Sequence, residues 1–370
     1  MARNQTNHRR FGNVGKLPSG RYRARWTGPD GFVHKAPDTF ATAEEADAWL
    51  AAQRVGRATK NWVDERDGAM PLRVLAEQWK LTRQHKRAST RARDLGYLER
   101  YILPTFGDRA VADITATDCD VWVSELTAAE LAPATIVKAA QLLGSIFDRA
   151  VRDRRRLDNP ARDLELPKVE RAKVRALSPT EVEKLAGEID PRYRAMVVVG
   201  CYTGLRLGEL TALTAGDVDL GRRRLTVSRN TVEVEGHLSH GQVKTAAGRR
   251  VVPLSAVALE ALTPLVEGAG HPDDLLFTAP DGGYLRAAGW RSRFWRPAVK
   301  AAGLEGLTPH DMRHTAISIW LAAGTDPKAV AVWAGHRSVV TVLDVYGHLM
   351  PDHADAHLAR LDAYVDGQTV

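Results

Sequence analysis

Between positions 21 and 26 the chain alternates, with Arg21, Arg23 and Arg25 falling between Tyr22, Ala24 and Trp26. A period of two puts three guanidiniums on one face of a strand and the apolar side chains on the other. Gly28, Pro29, Asp30 and Gly31 supply a turn, Phe32 to Lys35 a second strand, and Thr42 with Glu45 a capping box for a helix carrying Ala46, Trp49 and Leu50. Residues 1–65 thus predict a three-stranded sheet packed on one helix. From Leu72 the period changes to that of a helix: Leu72, Leu75, Ala76 and Trp79 form one stripe, Tyr97, Leu98, Tyr101 and Ile102 another, and Ile136, Ala140, Leu143 and Phe147 a third. These predict an all-helical module over 71–158.

Periodicity then lapses. Residues 159–177 carry Pro160, Pro167, Lys168, Arg171, Lys173 and Arg175, the pattern of an exposed basic linker. Ser178, Pro179 and Glu181 supply an N-cap, a first-turn proline and a capping acid that open a further domain over 178–350. Strand-like runs at Leu225 to Val227 and Val251 to Leu254 flank Lys244 and predict a hairpin, while Pro309 to Ala323 reads as a helix. The expected fold is multidomain, mainly α with small β-sheets: a three-stranded sheet plus helix, a helical domain, and a mixed α+β domain. A tail, 351–370, adds Leu358, Leu361 and Tyr364.

Composition narrows the partner. The 370 residues are 44% hydrophobic, enough for more than one core, and carry a formal net charge of +7. With a pI near 9.5, that balance fits a polyanion. Cys119 and Cys201 are too few for a disulfide framework or a Cys-rich zinc site, which suits a reducing compartment. No run of about 18 apolar residues could span a bilayer, and the first residues lack the apolar core of a signal peptide. A cytoplasmic protein with no membrane partner is expected.

Candidate chemistry lies in the C-terminal half of the sequence, in short strings: TGLRLGEL (203–210), VKTAAGRRVVPL (243–254), HDMRHT (310–315), AGHRS (334–338) and VYGHL (345–349). They place Arg206, Lys244, His310, Arg313, His336 and Tyr346 in order along the chain. A phosphodiester under attack gains negative charge on its non-bridging oxygens, which permanently charged guanidinium forks match, so Arg206 and Arg313 suit a clamp. Tyr346 is the candidate nucleophile, its phenolate favoured by nearby positive charge. A leaving DNA 5′-oxygen needs a proton that Lys244 can supply and the arginines at 249 and 250 cannot. His310 and His336 can orient the phosphate or shuttle the tyrosine proton. Glu209, one turn beyond Arg206, can buttress it. His310 and Arg313, three apart, share one side of a first helical turn, where anions are favoured.

These strings resemble the tyrosine recombinase family, in its phage-integrase branch, from about Ser178 to Met350 and more loosely before it. Arg206 in GLRLGEL matches the first family arginine and Glu209 the acidic residue after it. Lys244 matches the hairpin lysine, His310 and Arg313 the His-x-x-Arg box, His336 the Gly-His box and Tyr346 the nucleophile. Ala334 stands where the family usually has Leu and Arg337 where Ser is common, neither touching the chemistry. The resemblance implies a site-specific DNA recombinase with a 3′-phosphotyrosyl intermediate, strand exchange through a four-way junction, and no metal, ATP or other cofactor. It further implies an arm-type DNA-binding domain over 1–65, in which Arg21, Arg23 and Arg25 read DNA. A core-binding domain over 71–158 would follow the phosphate backbone with Lys80, Arg83, Lys86, Arg87, Arg91 and Arg93, and Lys168, Arg171, Lys173 and Arg175 would cross the duplex. Expected partners are double-stranded DNA at core-type and arm-type attachment sites, further copies in a homo-tetramer coupled by the tail, a directionality factor and a host DNA-bending protein.

Three rivals share parts of this pattern. His310 and His314, four apart on a helix, could be a zinc pair, but Asp311 stands where a zincin has Glu and Arg313 would set a cation beside the metal. A non-catalytic DNA-binding regulator could keep the fold, against which the complete catalytic set argues. A resolvase or topoisomerase would use the same chemistry, but has less use for a second DNA-reading module.

Overall fold

The computed structural model describes residues 11–28, 31–58, 68–170, 174–234, 236–242 and 249–347, with single positions beyond. The chain divides into two compact units between Glu170 and Arg171.

The first unit opens with an antiparallel sheet of β1 (Asn13–Lys16), β2 (Tyr22–Thr27) and β3 (Val33–Lys35), β2 in the middle. Strand β2 buries Ala24 and Trp26 against Ala46 and Leu50 of helix α1 (Ala43–Ala58), and leaves Arg23 and Arg25 exposed on the other face. The period of two therefore survives folding intact. Thr42 Oγ1 accepts the Glu45 N–H at 3.2 Å and the Glu45 carboxylate reaches back to the Ala41 and Thr42 N–H groups, starting α1.

A separate core is built from α2 (Leu72–Leu81), α3 (Ala88–Tyr97), a π-helical turn at Leu98–Ile102, α4 (Leu103–Phe106), α5 (Ala116–Ala128) and α6 (Pro133–Arg152). All three predicted stripes supply it, with Leu72, Leu98 and Phe147 fully buried. Asn159 and Ala161 belong to this module rather than to a linker: the Asn159 amide donates to the Gly144 carbonyl at 2.9 Å and to Asp148 at 2.8 Å, and Ala161 is buried. An amide that closes two acceptors on α6 ties down chain that periodicity alone reads as loose.

The second unit starts α7 (Pro179–Glu188) with the expected Ser178–Glu181 capping box. Already before it, Leu177 is buried, and its N–H donates to Thr315 Oγ1 at 3.0 Å. The main helical contact is between α8 (Pro191–Thr203) and α13 (Pro309–Ala322), around Met196, Met312 and Ala316. Between them come α9 (Leu207–Leu210), β4 (Val218–Asp219), β5 (Arg224–Val227), β6 (Arg229–Val234), β7 (His237–Gln242), β8 (Arg250–Pro253), α10 (Ala256–Glu267), α11 (Ala287–Trp290) and α12 (Arg296–Ala301). Helices α14 (Pro327–Ala334) and α15 (Val339–Tyr346) follow α13.

The expected pairing of the runs around Lys244 is present: Leu225 pairs with Val252 and Thr226 with Val251 in the sheet β4-β5-β8. Between them, however, runs a second ladder, β6 with β7, which the sequence reading folded into one hairpin. Lys244 itself lies outside the described residues, in the connection from β7 to β8. So do Arg171, Lys173, Leu361 and most of the tail. Among the described residues no helix is long and apolar enough to cross a membrane.

Candidate active site

Arg206 stands at the N-cap of α9, as expected of a turn residue, and Glu209 sits one turn on. The Glu209 carboxylate accepts the Arg206 N–H at 2.9 Å and Arg206 Nη1 at 3.0 Å. It also takes both ends of Arg250, Nη1 at 3.0 Å and Nη2 at 2.8 Å, in a pair whose side chains are 2% and 3% exposed. In the sequence Arg250 stands out only as a poor proton donor. A bidentate, buried arginine adjoining a candidate loop left no periodic signal, although the paired arginines at 249 and 250 were a hint.

Arg250 Nε donates to the Trp333 carbonyl at 2.6 Å, tying β8 to the end of α14. That helix stops at Gly335, whose φ of +67° is open to glycine and costly for other residues. The reversal places His336 directly after it, with its N–H bonded to the Ala331 carbonyl at 2.8 Å. Arg206 Nη2 reaches the Gly335 carbonyl at 3.4 Å. On α13, started by a Thr308–Asp311 capping box, Arg313 is buried and its Nη1 donates to the Gly204 carbonyl at 2.8 Å. The structure therefore brings Arg206, Glu209, Arg313 and His336 together, with His310 one turn before Arg313.

The electrostatics of this cluster have one sign. Burial, reinforced by the charges of Arg206 and Arg250, pulls the Arg313 guanidinium down to about 9. Burial and then Arg313 and Arg206 push His336 down to about 4. His310 is lowered by the same causes in the same order. Burial presses the Glu209 carboxyl upward, but hydrogen bonding and charge from Arg250, with help from Arg206, outweigh it and hold the group below its usual range. Two buried polar atoms, Arg313 Nη2 and His336 Nε2, have no hydrogen-bond partner among the described residues. Buried donors are seldom left so, because an unmade bond forfeits the full desolvation cost. Arg206 remains 42% exposed beside them.

Tyr346, the last residue of α15, is buried at 2% exposure. Its ionisation runs against expectation: burial pushes the phenol up to about 12, and the opposing charge of Arg313 does not compensate. Desolvation outweighs the nearby cation, and Asp311 adds to it. The hydroxyl bonds His314 Nδ1, a residue considered in sequence only as half of a zinc pair. Among the described residues no third His, Cys, Asp or Glu joins His310 and His314 in a metal-ligating group.

The other predicted contact residues divide into free and committed groups. Arg21 lies just outside β2 and is tied to Thr39, through Oγ1 at 2.7 Å and the carbonyl. Arg83 lies over the Trp79 ring and donates to the buried Asp94 at 2.7 Å, and Arg93 shares that carboxylate at 3.3 Å. Arg91 caps the carbonyls of Gln84 and Lys86, and Lys80 pairs with Glu77. Lys86 and Arg87 are exposed, as is Lys168. A cleft of about 320 Å³ brings Arg83, His85 and Lys86 together with Arg149 and Arg152 of α6. Those last two escaped the sequence reading because they are some sixty residues away from the charge run. Arg175 is held by the Glu305 carbonyl at 2.8 Å and so anchors the second unit.

Comparison with known proteins follows the same division. The phage integrase family model matches residues 175–353, its N-terminal domain residues 10–57 and its central domain residues 72–166. The putative prophage phiRv2 integrase of Mycobacterium tuberculosis (strain ATCC 25618 / H37Rv) is 30% identical over 344 residues, covering 90% of this chain and 91% of the relative. A solved structure of the Tn1549 transposon integrase in complex with circular intermediate DNA superposes with a TM-score of 0.66 at 26% identity, covering 79% of this chain and 100% of that one. Lambda integrase, solved as a tetramer bound to a Holliday junction, shares the fold with a TM-score of 0.59 at 17% identity, over 88% of this chain and 96% of that one. The fold and these likenesses define a DNA strand-transfer enzyme. The chain belongs to the phage integrase family of tyrosine recombinases, which recombine DNA site-specifically through a catalytic tyrosine.

Proposed function

We propose that Arg206, Lys244, His310, Arg313, His336 and Tyr346 are the catalytic set, with Glu209 in support, and that the protein integrates and excises a mobile element. The observation that carries this reading is the positively charged cluster in which Arg313 Nη2 and His336 Nε2 are buried without a partner among the described residues, beside a partly exposed Arg206. A scissile phosphate there satisfies both orphaned atoms and opposes the excess positive charge. Tyr346 Oη attacks the phosphorus, a 3′-phosphotyrosyl bond forms, and the 5′-oxygen departs with a proton from Lys244.

Residues 1–65 act as an arm-type DNA-binding domain and 71–158 as the core-binding domain. The exposed faces carrying Arg23 and Arg25, and Lys86 and Arg87, support these assignments. The basic connection supplies Lys168, Arg171 and Lys173 to the duplex, while Asn159 and Ala161 stay with the helical module and Arg175 and Leu177 with the catalytic domain, which spans 178–350. Both core-type and arm-type sites are double-stranded DNA, a homo-tetramer coupled by the tail performs the exchange, and a directionality factor and a host DNA-bending protein are candidate further partners. Lambda integrase, as a tetramer on a Holliday junction, supports the tetrameric reading.

The test is a labelled, nicked core-site substrate cut from DNA flanking the gene, incubated in EDTA with wild type and Tyr346→Phe and resolved on a denaturing gel. Wild type should form a covalent adduct and the variant none. Binding of that site without any adduct would sink the enzyme reading in favour of a DNA-binding regulator.

A further inference from the structure

Among the described residues, the Tyr346 hydroxyl makes one hydrogen bond, and it goes to His314 rather than to His310, His336 or either arginine of the clamp. The two rings lie with centroids 5.7 Å apart. His314 follows Arg313 directly on α13, whose position is fixed by the Arg313 bond to the Gly204 carbonyl and by Thr315, which donates to the Asp311 carbonyl at 2.8 Å and accepts from Leu177. The imidazole is therefore held by buried neighbours on both sides in sequence. His310, one turn earlier, sets its ring perpendicular to that of His314 at 4.8 Å.

We propose that His314 Nδ1 is the base that takes the Tyr346 hydroxyl proton during strand cleavage and returns it during ligation. The proposal rests on Tyr346 being the nucleophile. In the forward step the Tyr346 Oη–phosphorus bond forms as the phosphorus–O5′ bond breaks. The hydroxyl proton passes to His314 Nδ1, and the leaving oxygen takes its proton from the acid assigned to Lys244, so charge and protons balance without redox change. In ligation the 5′-hydroxyl attacks the phosphorus and returns its proton to the group assigned to Lys244, the phosphorus–Oη bond breaks, and His314 hands its proton back to the departing phenolate. His310 and His336 are then left to orient the phosphate.

The acceptor must be neutral near working pH, and its surroundings keep it so. Burial, then His310, lower the His314 pKa, with Arg313 acting in the same direction and Asp311 opposing. Tyr346 faces it from α15, and α8 and α14 add no ionisable group that shifts it.

The experiment measures single-turnover adduct formation by the full chain on the nicked core-site duplex from about pH 5 to about pH 9, bracketing histidine titration. It compares wild type, His314→Gln, His314→Ala and Tyr346→Phe, with core-site binding measured for each. Glutamine keeps a hydrogen-bonding side chain but cannot carry the proton. Its cleavage should slow by about 10²–10⁴-fold with binding retained, and the fall in wild-type rate at acid pH should disappear. Free imidazole should restore part of the activity of His314→Ala. A glutamine variant that cleaves as fast as wild type or faster, with the acid fall intact, would overturn the role of His314 while an inert Tyr346→Phe left the nucleophile standing. An adduct from Tyr346→Phe would instead remove the nucleophile, and this proposal with it.

Discussion

His336 and Arg313 carry the site's character in their ionisation. A histidine whose folded pKa is depressed binds fewer protons in the folded chain than in the unfolded one as pH falls through the interval between the two values. For His336 that interval runs from its ordinary 6.5 down to about 4. His310 and His314 shift in the same direction. Stability from these groups is thus fully present above pH 6.5 and lost on acidification toward pH 4, and a bound phosphate, by favouring the protonated rings, should reduce that loss. Thermal unfolding of the free enzyme should fall between pH 7 and pH 5 (bracketing histidine titration), and by less in His336→Asn; an unchanged slope in the variant would count against a neutral buried His336. The sequence named Arg206, His310, Arg313, His336 and Tyr346, and folding brings them to one cluster. It did not reveal that Tyr346 is less acidic than a free phenol, because desolvation depends on what packs over a residue.

At the scale of elements, the Arg250–Glu209 pair joins β8, α9 and, through the Trp333 carbonyl, the end of α14. Removing one partner of a buried, hydrogen-bonded ion pair leaves the other charge uncompensated. Arg250→Ala should therefore cost about 3–5 kcal/mol, read as a lower urea midpoint in denaturation of the full chain. A change below about 1 kcal/mol, the value of a surface pair, would show that the cross-link contributes little. Gly208 adds a steric condition: a Cβ there would meet the Asn230 side chain and lie 2.5 Å from the Thr231 carbonyl, so glycine in LRLGEL lets β6 pack on α9. The β5–β8 pairing was legible from two apolar runs. The β6–β7 ladder was not, since HLSHGQ lacks strand-like alternation, and its hold comes from partners remote in sequence, such as Arg286 on Glu233 and the Gly236 carbonyl.

For the molecule as a whole, each module pairs a core with exposed basic residues, and nonspecific affinity for DNA follows from charge alone. The arm-type reading is sharper. Arg23→Ala with Arg25→Ala should weaken binding to accessory sites and lower the slope of log affinity against log salt by about 2, while core-site cleavage persists. Equal accessory-site affinity in a filter-binding titration would refute it. Arg21→Ala should behave differently, since Arg21 is spent on Thr39 and its loss loosens the module.

Local pattern determined the period of each element, its caps and the order of the catalytic residues, because these depend on neighbours within a turn or a strand. Even the family could be read from five strings. Only the tertiary structure decided that Arg250 rather than Arg206 is the main partner of Glu209, that His314 meets Tyr346, and that Arg83 pairs with Asp94. Those outcomes turn on which side chains lose water and which find partners dozens of residues away, and desolvation and long-range pairing exist only once the chain has packed.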